Sequence, residues 1–211
     1  MRMNDSPNIA TARAVRDSSR ADPVPSDDVL LAQFARGDDR AAKELAARHL
    51  PRVLSVAVRV LGDRAEAEDV AQEALLRLWR IAPDWEPDRA KVSTWLYRVA
   101  MNLCIDRKRR ARGGTVDIDA VPEPMDPAPG APEAMQAKAR QAALDAALQA
   151  LPDRQRQAVV LRHIEGLANP QIAEIMGLGV EAVESLTARG KRGLKAALAG
   201  RRGELGFDDD Q

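Results

Sequence analysis

The chain has 211 residues, of which 45% are hydrophobic and 3% aromatic, and its 32 Lys+Arg balance its 32 Asp+Glu. That length fits one domain or two small ones. A composition rich in Ala, Leu, Arg and Glu, without a run of alternating β-branched residues, points to an all-α protein and away from a sheet. Cys104 is the single cysteine, with His49 and His163 the two histidines, which excludes a disulfide framework and a Cys/His metal site; no metal or cofactor is expected.

Residues 1–26 carry Arg2, Arg13, Arg16 and Arg20 but no apolar core, so they read as a disordered segment and not as a secretory signal. Asp27 is placed to cap a short helix with the stripe Leu30, Leu31 and Phe34, stopped by Gly37. Asp38 or Asp39 caps the next helix. Pro51 interrupts it, predicting a kink or two helices meeting there. The stretch Val53–Leu61 is apolar but short and holds Arg59, so it does not span a membrane, and the chain reads as cytoplasmic. After Gly62, Asp63 caps a helix to about Arg80, with acids in its first turns and the stripe Val70, Ala74, Leu75, Leu78 and Trp79. Pro83 and Pro87 mark a loop. Ser93 or Thr94 then caps a helix to about Arg110 that buries Trp95, Leu96, Val99 and Leu103.

Residues 112–135 read as a linker in which Pro122, Pro124, Pro127, Pro129 and Pro132 oppose helix. Helical periodicity returns at Ala134 and runs through Leu144, Leu148 and Leu151 to Pro152. A helix with Ala158, Val159, Leu161 and Ile164 stops at Gly166. Asn169 then caps, and Pro170 opens, a short helix with Ile172, Ala173, Ile175 and Met176. The chain turns at Gly177-Leu178-Gly179, and a last helix runs from Val180 to about Ala199. A short helix, a tight turn and a longer helix with a basic end form the helix-turn-helix pattern; an ordinary helical hairpin has the same outline. Ala173 lets the two helices approach, and Leu178, Val183 and Leu186 pack one on the other.

The overall neutrality hides segregation. Residues 91–112 hold seven bases and one acid, 113–138 five acids and one base, 168–202 six bases and three acids, and 203–211 four acids. Two basic patches around an acidic connector suggest two contacts with one polyanion, although cations also favour helix C-termini.

Three segments resemble, in order, the σ factors of the extracytoplasmic-function (ECF) group of bacterial RNA polymerase. Residues 63–80 (DRAEAEDVAQEALLRLWR) resemble the group's core-polymerase-binding helix. Residues 93–110 (STWLYRVAMNLCIDRKRR) resemble its promoter-melting helix, which reads the minus-ten element. Leu151-Pro152 with Arg156, followed by the helix-turn-helix, resembles its minus-thirty-five-reading domain. The similarity covers about residues 28–111 and 139–197.

The resemblance implies two helical domains, 27–111 (σ region 2) and 136–200 (σ region 4), with an acidic tail at 201–211. It implies core-polymerase contacts from Asp69, Gln72, Glu73 and Leu76, with Trp79 near the domain core. It implies a minus-ten site in which Trp85, from an aromatic-x-Pro loop, forms a base pocket with Val99, Asn102, Leu103 and Asp106. Lys91, Arg107, Lys108, Arg109 and Arg110 would neutralise phosphates. The other reading of Trp85 is a core tryptophan, and Trp95 fits the core better than a base wedge.

The implied minus-thirty-five set is Asn169, Gln171, Glu181, Glu184, Ser185, Arg189, Lys191 and Arg192. It departs from the group's pattern, because Gly179 stands where a Ser cap is usual and Ser185 is flanked by Glu184 and Leu186 instead of bases. In the family the acidic linker threads the polymerase's product channel, and an anti-σ factor commonly covers the polymerase-binding surfaces. The expected partners are therefore core RNA polymerase, promoter DNA and an anti-σ factor. A helix-turn-helix repressor would explain residues 139–200 but not 63–110. An enzyme is disfavoured, because Glu66, Asp69 and Glu73 share helical spacing without a Glu-x-x-His partner.

Overall fold

A computed structural model describes residues 24–113, apart from Asp88, and 132–199. The expected disorder of the N-terminal segment, nearly all of the acidic linker and the acidic tail lie outside these residues. The described residues form eight α-helices: α1 (Asp27–Ala35), α2 (Asp39–Leu61), α3 (Arg64–Ile81), α4 (Val92–Gly113), α5 (Pro132–Gln149), α6 (Asp153–Val159), α7 (Asn169–Met176) and α8 (Val180–Ala199). A 3₁₀ turn (Ala82–Asp84) follows α3 and a π-helical turn (Val160–Ile164) follows α6.

Helices α1–α4 form the first domain around α2, and α5–α8 form the second. Leu31, Leu45, Val53, Val56, Val70, Leu78, Leu96 and Met101 fill the first core, and Leu148, Leu161, Ile172 and Val183 the second. The two cores are continuous.

Several helix boundaries depart from expectation. Ser26, not Asp27, caps α1, its hydroxyl accepting from the Val29 amide at 3.3 Å. Asp27 is thereby freed to face α2, where its carboxylate lies 2.8 Å from His49 Nε2 and 3.2 Å from Arg48 Nη1. Of the two candidate caps for α2, Asp38 accepts from the Arg40 amide at 2.9 Å. Pro51 does not divide α2 into two helices. It is exposed, as is Ala47 four residues before it, so the carbonyl that loses its partner lies on the solvent side.

Helix α4 begins at Val92, before the expected Ser93 or Thr94 cap, and its buried residues are Val92, Thr94, Leu96, Tyr97, Ala100, Met101 and Cys104. Trp95, Val99 and Leu103 are only partly buried, so the core face is rotated from the expected stripe. Helix α5 starts at Pro132, within the expected linker, because proline suits a first helical turn. The cap of α7 is Ala168 and Asn169 its first helical residue; Gln171 Oε1 accepts from the Ala168 amide at 3.1 Å in place of an Asn169 cap. In the second domain, α8 crosses α6 so closely that a Cβ on Gly190 would lie 2.5 Å from Val159 Cγ2 and 3.2 Å from the Gln155 carbonyl.

Arg156, 4% exposed, organises the meeting of the domains. Its Nε donates to the Leu148 carbonyl (2.8 Å), and its Nη2 to those of Gln149 (2.6 Å) and Leu151 (2.9 Å), at the end of α5. Its Nη1 donates to the Val60 carbonyl (2.8 Å) in the last turn of α2. Gln149 Nε2 donates to the neighbouring Arg59 carbonyl (2.8 Å). The last carbonyls of a helix have no partner within it, so the second domain supplies partners for the end of α2.

Replacing Arg156 strands several buried carbonyls at once, each costing roughly 1–3 kcal/mol when unsatisfied. Arg156→Leu is expected to lower the free energy of unfolding by at least about 3 kcal/mol, measured by urea denaturation. Arg156→Lys should recover little of this, because a point charge cannot address carbonyls in three directions.

Candidate polymerase and promoter interfaces

Helix α3 starts where Asp63 Oδ1 accepts from the Glu66 amide at 2.9 Å. Ala67, Val70, Ala71, Ala74, Leu75 and Leu78 are buried, and at 3.6 residues per turn the opposite ridge carries Asp69, Gln72, Glu73 and Leu76. Asp69 and Gln72 are exposed, and Leu76 is 48% exposed, a large apolar side chain in a polar surround. The half-buried Glu73 accepts from Arg77 Nε at 2.8 Å and lies 3.6 Å from Arg80 Nη1; the Arg77 hydrogen bond holds its carboxyl below the usual range. Trp79 lies on the inner side, its ring centroid 4.9 Å from that of Phe34.

Helix α4 runs beside this ridge. Arg107 reaches back to α3, where it bonds Glu66 and lies 3.4 Å from Asp69 Oδ2. The Glu66 bond raises its pKa further, so Arg107 is a charged bridge between the helices more than an open phosphate contact. Leu103, Asp106, Arg107 and Arg110 share with Asp69, Gln72, Glu73 and Leu76 an open groove of about 410 Å³.

The expected base pocket is divided. Leu103 and Asp106 line the α3–α4 groove, whereas Trp85 lines a separate cavity of about 330 Å³ with Trp95, Arg98, Arg89 and Glu174. Trp85 is half-buried and meets Trp95 edge-to-face, with centroids 6.2 Å apart and an interplanar angle of 86°. Its indole Nε1 donates to Asp28 Oδ1 on α1 at 2.8 Å, so its polar end is held while part of its ring stays accessible. Trp95 is accordingly a cavity wall and not a fully buried core residue. Asp28, Arg98 and Glu174 were not singled out in the sequence. Arg98 lies three residues beyond Trp95, at helical spacing; nothing local marks Asp28 or Glu174, which come from distant elements.

Asn102 and Arg110 are exposed on α4, Val99 is partly buried, and Lys91 is exposed just before the helix. Asp106 pairs with Arg109 at 2.9 Å. Lys108 Nζ lies 3.1 Å from Asp153 Oδ1, on α6 of the other domain.

In the helix-turn-helix, Gly177 takes the left-handed conformation (φ +62°) that ends α7. Val183 is fully buried, and Leu178 packs against the core. Glu181, Glu184, Ser185, Arg189 and Arg192 are exposed at helical spacing along one side of α8. Ser185 Oγ accepts from Arg189 Nη2 at 2.7 Å, and Glu184 Oε1 accepts from Asn169 Nδ2 at 3.2 Å, tying the two helices. Gln171 is spent on the Ala168 amide. Lys191, seven residues after Glu184 and so at that edge of the same side, is exposed and close enough to His163 that its charge adds to burial in lowering the His163 pKa.

Comparison with known proteins accounts for both halves. Residues 45–113 match the family Sigma-70 region 2, and residues 141–194 match Sigma-70, region 4. The ECF RNA polymerase sigma factor SigE of Mycolicibacterium smegmatis is 36% identical over 184 residues, covering 83% of this chain and 70% of that one. RNA polymerase sigma factor CnrH of Cupriavidus metallidurans is 31% identical over 185 residues, covering 83% and 96%.

The chain belongs to the ECF σ factors. The solved structure of CnrH, in complex with the cytosolic domain of CnrY, superposes with a TM-score of 0.62 at 30% identity, covering 83% of this σ factor and 99% of CnrH. The sigma factor RpoE of Bartonella quintana, solved with the anti-sigma factor NepR, shares the fold with a TM-score of 0.59 at 21% identity. The region 2 match accounts for the segment that a helix-turn-helix repressor leaves unexplained. No helix among the described residues is long and apolar enough to cross a membrane.

Cys104 lies in the core beneath this surface, and burial pushes its thiol up from about 9 to about 12, against the lowering charges of Arg107 and Lys108. A raised folded pKa favours the native state fully below pH 9 and progressively less as pH rises toward 12. Unfolding free energies between pH 8 and 11 should therefore fall with pH, and less steeply in Cys104→Ala.

Proposed function

We propose that this σ factor binds core RNA polymerase through the α3 ridge and directs it to promoters, opening the minus-ten element with region 2 and reading the minus-thirty-five element with region 4. The observation that carries this reading is the outward ridge Asp69, Gln72, Glu73 and Leu76, within the region 2 match, sharing one groove with the basic end of α4. An exposed leucine ringed by polar groups suits a protein partner, and the neighbouring Arg110 suits a phosphate.

The minus-ten strand would stack a base on Trp85 in the cavity with Trp95 and Arg98, while Asn102, Lys91, Arg109 and Arg110 contact its backbone and edges. At minus thirty-five, α8 would enter the major groove with few base contacts, since Glu184 is held by Asn169 and the cations lie toward its C-terminal half. The domain limits implied by the family (27–111 and 136–200), the passage of the acidic linker through the polymerase and a cytoplasmic location belong to the same proposal. So does control by an anti-σ factor over the outward faces, since both solved relatives are bound by a second protein.

Run-off transcription with purified core polymerase tests the reading as a whole. Asp69→Arg and Gln72→Ala should each weaken core binding without changing the thermal midpoint, because both side chains lie outside the core. Unchanged affinity in both would remove the ridge from the interface. Trp85→Ala should impair transcription from duplex promoters by roughly tenfold, as expected for one lost stacking partner, and much less from pre-melted templates. An equal loss on both templates would reduce Trp85 to a structural role.

A further inference from the structure

The outward face of α8 changes sign along its length. Its first nine residues, Val180–Ala188, hold Glu181 and Glu184 and no base; its cations Arg189, Lys191, Arg192 and Lys195 all follow. Glu181 and Ser185 are exposed on the side opposite the buried Val183 and Gly190, and Glu184 is exposed at the edge where Asn169 of α7 meets it. Arg189, the first cation, is folded back on its own helix, where Nη2 donates to Ser185 Oγ at 2.7 Å and Nε to the Ser185 carbonyl at 3.3 Å. The start of α8 therefore presents acceptors, all within the region 4 match.

The Asn169 amide fixes Glu184 without exhausting it. Nδ2 donates to Oε1 at 3.2 Å, which leaves Oε2 to accept elsewhere. Glu181 is unpaired among the described residues. An ionised carboxylate accepts hydrogen bonds and donates none. In the major groove cytosine is the one base whose edge shows a donor, its N4 amino group, without an acceptor. Adenine sets N7 beside its amino group, and guanine and thymine show only acceptors there. The N-terminal residues of a recognition helix are the ones that meet base edges.

Resting on the minus-thirty-five reading above, we propose that Glu181 and Glu184 determine its specificity, each selecting a cytosine at neighbouring base pairs. Three residues of helix rise about 4.5 Å, close to the step of about 3.4 Å between base pairs. Asn169 is the positioning residue for Glu184. Arg192 and Lys195, farther along the same side, hold phosphates and offset the two acids. The element selected differs in kind from one read by Arg or Lys, whose donors pair with guanine O6 and N7.

The test uses holoenzyme reconstituted from the full chain and purified bacterial core polymerase. A randomised duplex library is offered, and the duplexes retained in open complexes are sequenced. The parent is expected to retain an upstream element with cytosines at two neighbouring base pairs, each preferred over guanine by about fivefold or more, as one well-placed base contact provides. Glu181→Gln and Glu184→Gln should each change one of these positions from cytosine to adenine and leave the other as it was, because a carboxamide pairs with adenine N6 and N7. Both side chains are exposed, so the thermal midpoint should not move. Asn169→Ala should flatten the preference at the Glu184 position alone; an equal effect at both positions would remove Asn169 from the positioning of Glu184.

An upstream element that is the same in the parent and both Gln variants overturns base reading by the acids, while the minus-thirty-five assignment of α8 stands. Guanine in the parent at the positions that the Gln variants alter overturns the choice of base. If the parent retains no upstream element at all, the minus-thirty-five reading fails and this inference fails with it.

Discussion

A single guanidinium ties together the ends of two helices from different domains. Arg156 collects three carbonyls at the end of α5 and one at the end of α2. Each helix end carries partial negative charge, so one cation offsets two dipoles that would otherwise face each other inside the protein. Five N–H groups in a rigid fork suit this task better than any other side chain. The turn between α5 and α6, the start of α6 and the seat of the second domain on the first all converge on it.

Charge is spent largely within the molecule. Of the four cations at 107–110, Arg107 bonds α3, Lys108 faces Asp153 and Arg109 pairs with Asp106. The exposed pairs contribute little to stability and can exchange partners at small cost. A chain without net charge can thus carry a basic helix whose cations become available to a polyanion only as internal partners are given up.

The helices, the helix-turn-helix and the exposed α3 ridge were legible in the sequence, because each is written locally, in the Asp63 cap, the apolar spacing from Ala67 to Leu78, and Gly177 in its left-handed turn. The departures have causes that no local pattern carries. Ser26 competes with Asp27 as a cap, and the hydrogen bond with His49 that engages Asp27 instead comes from 22 residues away. For Pro51 the sequence leaves a kink and two helices meeting both open, because its effect depends on whether the stranded carbonyl meets water, which the sequence does not state; α2 runs through it as one helix. The Trp85 cavity was drawn with the wrong neighbours. Asp28 on α1 holds the Trp85 indole and Glu174 on α7 lines the cavity, and no periodicity within one helix reports contacts between distant ones.

The π-helical turn at Val160–Ile164 closes with the Glu165 amide donating to the Val160 carbonyl, five residues back, at 3.1 Å. Such a turn holds one residue more than an α turn, and one residue is about 100° of helical rotation. Everything after Val160 therefore leaves α6 in a rotated register. Glu165, whose Oε2 accepts from the Tyr97 hydroxyl on α4 at 2.5 Å, owes its direction to that extra residue, and α7 follows from the same exit. The orientation of the region 4 half of this σ factor is set by the length of one turn, so that losing a single residue there would aim a fully folded second domain at the wrong neighbour.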